Sequence, residues 1–328
     1  MARILELRRS IRILADYGNK LQGKSVVRRW TDISLMNSQM NLRGWGRALD
    51  NGPPGSEGSP RPLIIRRDRT GPRLQLLTAK GFEWVEAEIP IRELPPELEG
   101  FRLLHVSDLH VRKAWDPAYD EFIARVEANP PDFIAYTGDF VDNKHDSRRA
   151  MPVVRRLVNS LKSRLGTAAI LGNHDGDLLG PPLASLNLTL LDHRRLALRS
   201  GSATLEFIGI AGVDRKDFDP GFLRSLGRKE PGTVRVVLSH FPDLVRRSRF
   251  LEADLFLAGH THGGQICLPG GIPIIRHDSL PAKLISGIHW VYDTWLVANP
   301  GLGFSGLPIR LFCPAQVIEI RLRKAGGS

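Results

Sequence analysis

From about residue 85 the chain repeats one pattern, in which a short apolar run ends in a polar cluster and an amphipathic stretch follows. Val85, Ala87, Ile89 and Ile91 alternate with Glu86 and Glu88, a period of two that predicts a half-buried strand. FRLLHVS (101–107) runs into Asp108-Leu109-His110, with a helix predicted near 117–128. DFIAYTG (132–138) runs into Asp139, with an amphipathic helix predicted near 147–164. TAAILG (167–172) leads to Asn173-His174-Asp175, and VRVVLS (234–239) leads to His240 and a helix near 242–249. DLFLAG (254–259) ends in His260-Thr261-His262. Continuous aliphatic and β-branched runs of this kind fit strands buried on both faces, in sheets covered by helices. Polar residues at the carboxyl ends of such strands mark where α/β folds keep their sites.

The first part of the chain has a different texture. Residues 1–17 mix Ile4, Leu5, Leu7, Ile11, Ile13 and Leu14 with basic residues, an imperfect amphipathic helix. DNGPPGSEGSPRP (50–62) is a Gly/Pro/Ser linker. It divides a basic N-terminal extension, 1–62, from a domain over 63–328 with its core at 85–322. Residues 1–80 hold sixteen Lys or Arg against six Asp or Glu, a surplus of ten within a net charge of +11. The remainder is close to neutral, so the basicity belongs to the arm. An anionic membrane surface or nucleic acid is the partner such an arm would take, and a solvated arm without a partner is the other reading.

Composition narrows the class. With 42% apolar and 25% charged residues the chain reads as globular and not disordered. No apolar run reaches the roughly 20 residues of a membrane-spanning helix, and Arg, Glu and Asp interrupt every short apolar stretch near the N-terminus, leaving no signal-peptide core. The expected location is cytoplasmic, with peripheral attachment to the inner membrane face as an option the basic arm leaves open. The two cysteines, Cys267 and Cys313, sit in apolar strings and read as small buried side chains.

The polar clusters carry the candidate chemistry. Carboxylates, imidazoles and one amide suit Mn, Fe or Zn better than Ca or Cu(I). Asp108 and His110 stand two apart, as do His260 and His262, so each pair can converge on one ion. Asp139 stands alone after Gly138, and a carboxylate with two oxygens can bridge two ions. His105 reads as a core histidine, and Asp142 as either a brace for a ligand or a turn residue. His145, His193, His277 and His289 have no partner spacing. His289 to Trp295 reads as a core strand pair.

SDLH, TGDFVD, LGNHD, SHFPD and AGHTHGG, in that order, resemble the five blocks of the calcineurin-like metallophosphoesterase superfamily. The resemblance implies a four-layer α-β-β-α sandwich of two mixed sheets and a site for two divalent metal ions, with Mn favoured. Asp108, His110, Asp139 and His262 would hold the first ion, and Asp139, Asn173, His240 and His260 the second. His174 would stand over the scissile phosphate as a catalytic residue, with Asp175 orienting its ring. The Arg that grips monoesters in the family's protein phosphatases is missing from Gly138 to Lys144. Residues 259–274 and 299–320 are similar to a bacterial branch with membrane-associated phosphodiesterases and UDP-2,3-diacylglucosamine pyrophosphatases. The implied activity is hydrolysis of a phosphodiester or pyrophosphate in a phosphorylated small-molecule or lipid substrate. A nuclease or nucleotide phosphodiesterase is the alternative, and a non-catalytic interaction module the third reading, opposed by the complete ligand set.

Overall fold

The structure, a computed structural model, describes residues 61–69, 73–214, 219–274 and 278–325. The basic extension lies outside the described residues apart from Arg61 and Pro62, and so does His277. In chain order the described strands begin with β1 (Leu63–Arg69), β2 (Leu74–Leu76), β3 (Glu83–Ile91), β4 (Arg102–Val106), β5 (Phe133–Thr137), β6 (Gly166–Ile170) and β7 (Thr189–Leu190). They continue with β8 (Arg194–Ser200), β9 (Ala203–Ile210), β10 (Thr233–Ser239), β11 (Leu255–Ala258), β12 (Cys267–Leu268) and β13 (Ile272–Pro273). The last four are β14 (Gly287–Val291), β15 (Thr294–Ala298), β16 (Ile309–Leu311) and β17 (Gln316–Lys324).

Two mixed sheets result. One has the order β1-β3-β17-β4-β5-β6-β7, the other β14-β15-β11-β10-β9-β8. The strands β4 to β7 run parallel, as do β9, β10, β11 and β15. Antiparallel partners stand at the edges of the second sheet, β14 on one side and β8 on the other.

Alternation along each strand sorts the apolar residues into layers. Leu103, Phe133, Ile170 and Ile320 of the first sheet meet Phe207, Val236, Leu257 and Trp295 of the second in one core. The rings of Phe133 and Phe207 stack across it, 4.3 Å between centroids. Their chain neighbours face the other way. Leu104, Ile134 and Tyr136 pack under helix α1 (Pro117–Ala128) and helix α2 (Ser147–Ser160) through Phe122, Val126, Val154 and Leu157. Ile208, Val237, Phe256 and Leu296 pack under Leu226, Val245, Leu251 and Leu284. The order of layers is α-β-β-α.

Helix α1 starts where the spacing predicts, with Pro117 in its first turn after Asp116. Helix α2 stops at Ser160, four residues short of the expected end. The backbone N–H groups of Arg164 and Leu165 are claimed by the carbonyls of Pro131 and Asp132, at 3.0 and 2.8 Å, which pulls the chain out of the helix toward β6. The helix expected near 242–249 is a 3₁₀ turn, Pro242–Arg247, followed by one short helical turn, Ser248–Leu251. At the other end of the domain β1 pairs antiparallel with β3, so sheet structure begins ahead of residue 85. The stretch from His289 to Trp295 is the β14–β15 hairpin. Leu302 and Phe304 are buried in the core under the helices.

Candidate metal centre

The sequence delivers its polar clusters at the carboxyl ends of strands from both sheets. Asp108 and His110 follow β4, Asp139 follows β5, and Asn173 follows β6. His240 follows β10, while His260 and His262 follow β11. The loops then continue the pairing of their strands. The N–H groups of Asp108, His110 and Val111 donate to the carbonyls of Gly138, Asp139 and Phe140 at 2.9–3.0 Å. The two halves are tied by the His260 N–H, which donates to the Asp108 carboxylate at 3.0 Å.

This convergence strains the backbone. Asp108, His110, Asp139, His260 and His262 all have positive φ, from 41° to 69°. For a non-glycine residue that conformation costs about 1–3 kcal/mol and persists only where the surroundings hold it. Room is made by Gly172 and Gly259, where an added Cβ would collide with the carboxylates of Asp139 and Asp108 respectively.

All seven predicted ligands come together. The Oδ2 of Asp139 lies 3.3 Å from His110 Nε2 and 3.2 Å from His240 Nε2. The Oδ1 of Asp108 lies 3.4 Å from His262 Nε2 and 3.7 Å from His110 Nε2. The Asn173 side-chain oxygen is 3.0 Å from both His240 Nε2 and His260 Nδ1. Asp139 thus touches residues of both proposed ligand sets.

The donor chemistry fits cations. His240 Nδ1 donates to the Thr137 carbonyl at 2.8 Å, so in the neutral ring Nε2 is a lone pair facing two oxygens. Such a cluster of electron-rich atoms is stable only around positive charge. Neither ring nitrogen of His110 has a hydrogen-bond partner, although the ring is buried. The protonation equilibria report the same demand. Burial disfavours the His240 imidazolium, yet the charges of Asp139 and Asp108 outweigh it and push this group up to about 9. Burial likewise opposes the Asp139 carboxylate, but His240 and His110 hold that carboxyl well below the usual range.

His174 takes a different place. Its Nδ1 donates to the Asp142 carbonyl at 2.7 Å, and its ring lies edge-on to His110 with centroids 4.7 Å apart. The expected role of Asp175 as the group orienting this ring is corrected by the structure. Both Asp175 oxygens are taken by backbone N–H groups, of Asp139 and Gly172 at 2.8 Å, Phe140 at 2.7 Å and Val141 at 3.1 Å. Its carboxylate braces the turn that presents Asp139, while the backbone of Asp142 orients His174. Burial and the nearby Asp139 charge push Asp175 up to about 7.

Asp175→Ala is therefore expected to be a folding variant first. It strands four buried N–H groups, each worth about 1–3 kcal/mol when left unsatisfied. We expect a loss of at least about 3 kcal/mol in denaturant unfolding. A loss below about 1 kcal/mol would show that solvent replaces the brace.

The residue that pattern reasoning left undecided is Asp142. One of its oxygens lies 3.5 Å from His110 Nδ1, and the other accepts from Arg112 Nε at 2.9 Å. Spacing from Asp139 was the only signal in the sequence. His105 is a fully buried core residue, its Nε2 2.9 Å from the Thr137 hydroxyl. His145, His193 and His289 stay outside the cluster.

Among the described residues no helix is long and apolar enough to cross a membrane. The calcineurin-like phosphoesterase profile matches residues 101–264. A Bacillus subtilis protein named "Uncharacterized metallophosphoesterase YkoQ" is 27% identical over 66% of this chain and 81% of its own length. Another from the same organism, "Uncharacterized metallophosphoesterase YkuE", is 28% identical over 74% of this chain and 86% of its length. A Bos taurus protein named "Transmembrane protein with metallophosphoesterase domain" is 28% identical over 73% of this chain and 56% of its own.

Proposed function

The chain belongs to the calcineurin-like phosphoesterase family and is a metal-dependent phosphoesterase, and from that premise we propose that it cleaves a phosphodiester or pyrophosphate bond in a substrate carrying an apolar group. UDP-2,3-diacylglucosamine is the type of compound meant. We assign Asp108, His110, Asp139 and His262 to one divalent ion, and Asp139, Asn173, His240 and His260 to the other, with Mn preferred by this mixed nitrogen and oxygen set. Bound ions of this kind supply Lewis-acid charge against phosphoryl oxygens and lower the pKa of water. His174 stands beside the cluster, its ring held by the Asp142 carbonyl, and in this reading it gives a proton to the leaving oxygen.

The apolar substrate rests on the likeness of residues 259–274 and 299–320 to a bacterial branch that contains UDP-2,3-diacylglucosamine pyrophosphatases. The buried Leu302 and Phe304 belong to the core and lend this reading nothing. The near-neutral body opposes a nuclease, which usually lines its site with Lys and Arg. Residues 1–62 we read as an arm for anionic surfaces, apart from the hydrolytic domain 63–328.

The test compares kcat/KM of Mn-reconstituted protein on UDP-2,3-diacylglucosamine, on DNA and on an aryl phosphodiester, with and without residues 1–62. Preference for the diacylated substrate in both forms is expected. DNA cut more efficiently, and only with the arm present, would replace this reading by the nuclease. Turnover of the aryl diester alone removes the substrate assignment and leaves the hydrolase.

A further inference from the structure

The two cysteines of the chain meet directly beneath the GHTH loop. Cys267 opens β12, just after that loop, and Cys313 follows β16, forty-six residues later. A parallel bridge between Ile266 and Leu311 brings the two segments side by side. Both thiols reach the same carbonyl, that of Gly263, at 3.3 Å for Cys267 and 3.5 Å for Cys313. The single S–H of Cys313 is shared between that carbonyl and the nearer one of His262, at 3.0 Å. Both residues are free and buried.

We propose that Cys267 and Cys313 are a redox-modification site, whose oxidation to a disulfide displaces His262 and weakens metal binding. The effect on metal rests on the ligand assignment above, whereas the bond itself does not. A peroxide is the co-reactant. One sulfur attacks the peroxide O–O bond, forming a sulfenic acid and releasing water. The second sulfur then attacks the first, expelling another water as the S–S bond forms. Two thiols and one hydrogen peroxide thus give one disulfide and two waters.

Two features couple this bond to the site. First, the thiols hold the backbone of the ligand loop, and joining them removes both S–H donors from the carbonyls of His262 and Gly263. A disulfide also fixes its sulfurs about 2.05 Å apart, with a set dihedral angle, which no hydrogen-bonded pair satisfies. Second, the loop is already strained, with φ of +51° at His262 and +54° at Gln265. It has little slack with which to absorb the shift.

Access comes from the thinness of the cover. Strand β12 pairs only with β13, two residues against two, and their connecting turn carries the exposed glycines 270 and 271. So short a ribbon opens locally at small cost.

The test uses the full chain, treated with hydrogen peroxide, alkylated and weighed intact. Because there are only two cysteines, thiol counting is unambiguous. Both thiols are expected to disappear together, with a monomer mass lower by two hydrogens, and to return with dithiothreitol. Equilibrium dialysis with Mn should show about ten- to a hundredfold weaker binding in the oxidised protein, the usual effect of disturbing groups behind a ligand. Cys267→Ala, and Cys267→Ser should the first be unstable, should bind Mn equally before and after peroxide. Surviving thiols, separate oxygen adducts or a cross-linked dimer would overturn the pair as a disulfide site. A disulfide that leaves Mn binding unchanged overturns its coupling to His262. Reduced protein that binds no Mn would sink the ligand assignment and with it the coupling, while mass and thiol count still decide the disulfide.

Discussion

Asp139→Asn is expected to strip the protein of both ions and to lower turnover of an aryl phosphodiester by more than about 10³-fold, the upper end of what one electrostatic element usually contributes. The geometry sets this expectation. One oxygen of Asp139 accepts the His174 N–H at 2.8 Å, and the other faces His110 and His240 at 3.3 and 3.2 Å. An asparagine that keeps the first contact must turn its NH₂ toward the two imidazoles. It would present two protons and no charge where the cluster needs a carboxylate. Asp139 faces imidazoles of both ligand sets through one oxygen, so the substitution is expected to reach both ions at once. Elemental analysis of folded protein checks it. Two ions retained would remove Asp139 from the bridging position.

His174→Ala should leave the metal content intact and lower turnover about 10²–10⁴-fold, the usual worth of general acid catalysis. The Asp142 carbonyl can only accept, so Nδ1 keeps its proton there, and to serve the leaving group as an acid the ring must carry a second proton on Nε2, which it gives up to the leaving oxygen. The dependence on leaving group tests the role. A nitrophenolate leaves without a proton and should suffer little, whereas an alkoxide should show the full loss. An equal loss on both would mean that His174 stabilises the phosphate and does not protonate the product.

Much of this site was legible as pattern. Short apolar runs ending in Asp108, Asp139, Asn173, His240 and His260 each became a strand with that residue just past its end. The reason is local, since a buried strand needs continuous apolar character and a site needs polar atoms where the strand stops. Element ends were less legible. Past Ser160 the chain leaves helix α2 as Pro131 and Asp132 take the N–H groups of Arg164 and Leu165, partners about thirty residues away in the chain. The role of Asp175 is hidden from the sequence for a related reason. Beside His174 in sequence it looks like a partner for that ring, but its acceptors are filled by backbone N–H groups of two different loops. The group that does orient His174 is a backbone carbonyl, which has no residue signature.

The sequence by itself determined the candidate ligand residues, the strands that carry them and the class of chemistry they suit, because donor type and hydrophobic period are properties of residues and their near neighbours. Tertiary structure alone decided that strand ends from two separate sheets meet, that Asp139 lies between the two ligand sets, and that Cys267 and Cys313 sit under His262. Those facts depend on how the sheets pack through Phe133 and Phe207 and on loops held at positive φ by contacts far away in the chain. Non-local packing supplies that energy, and no local pattern encodes it.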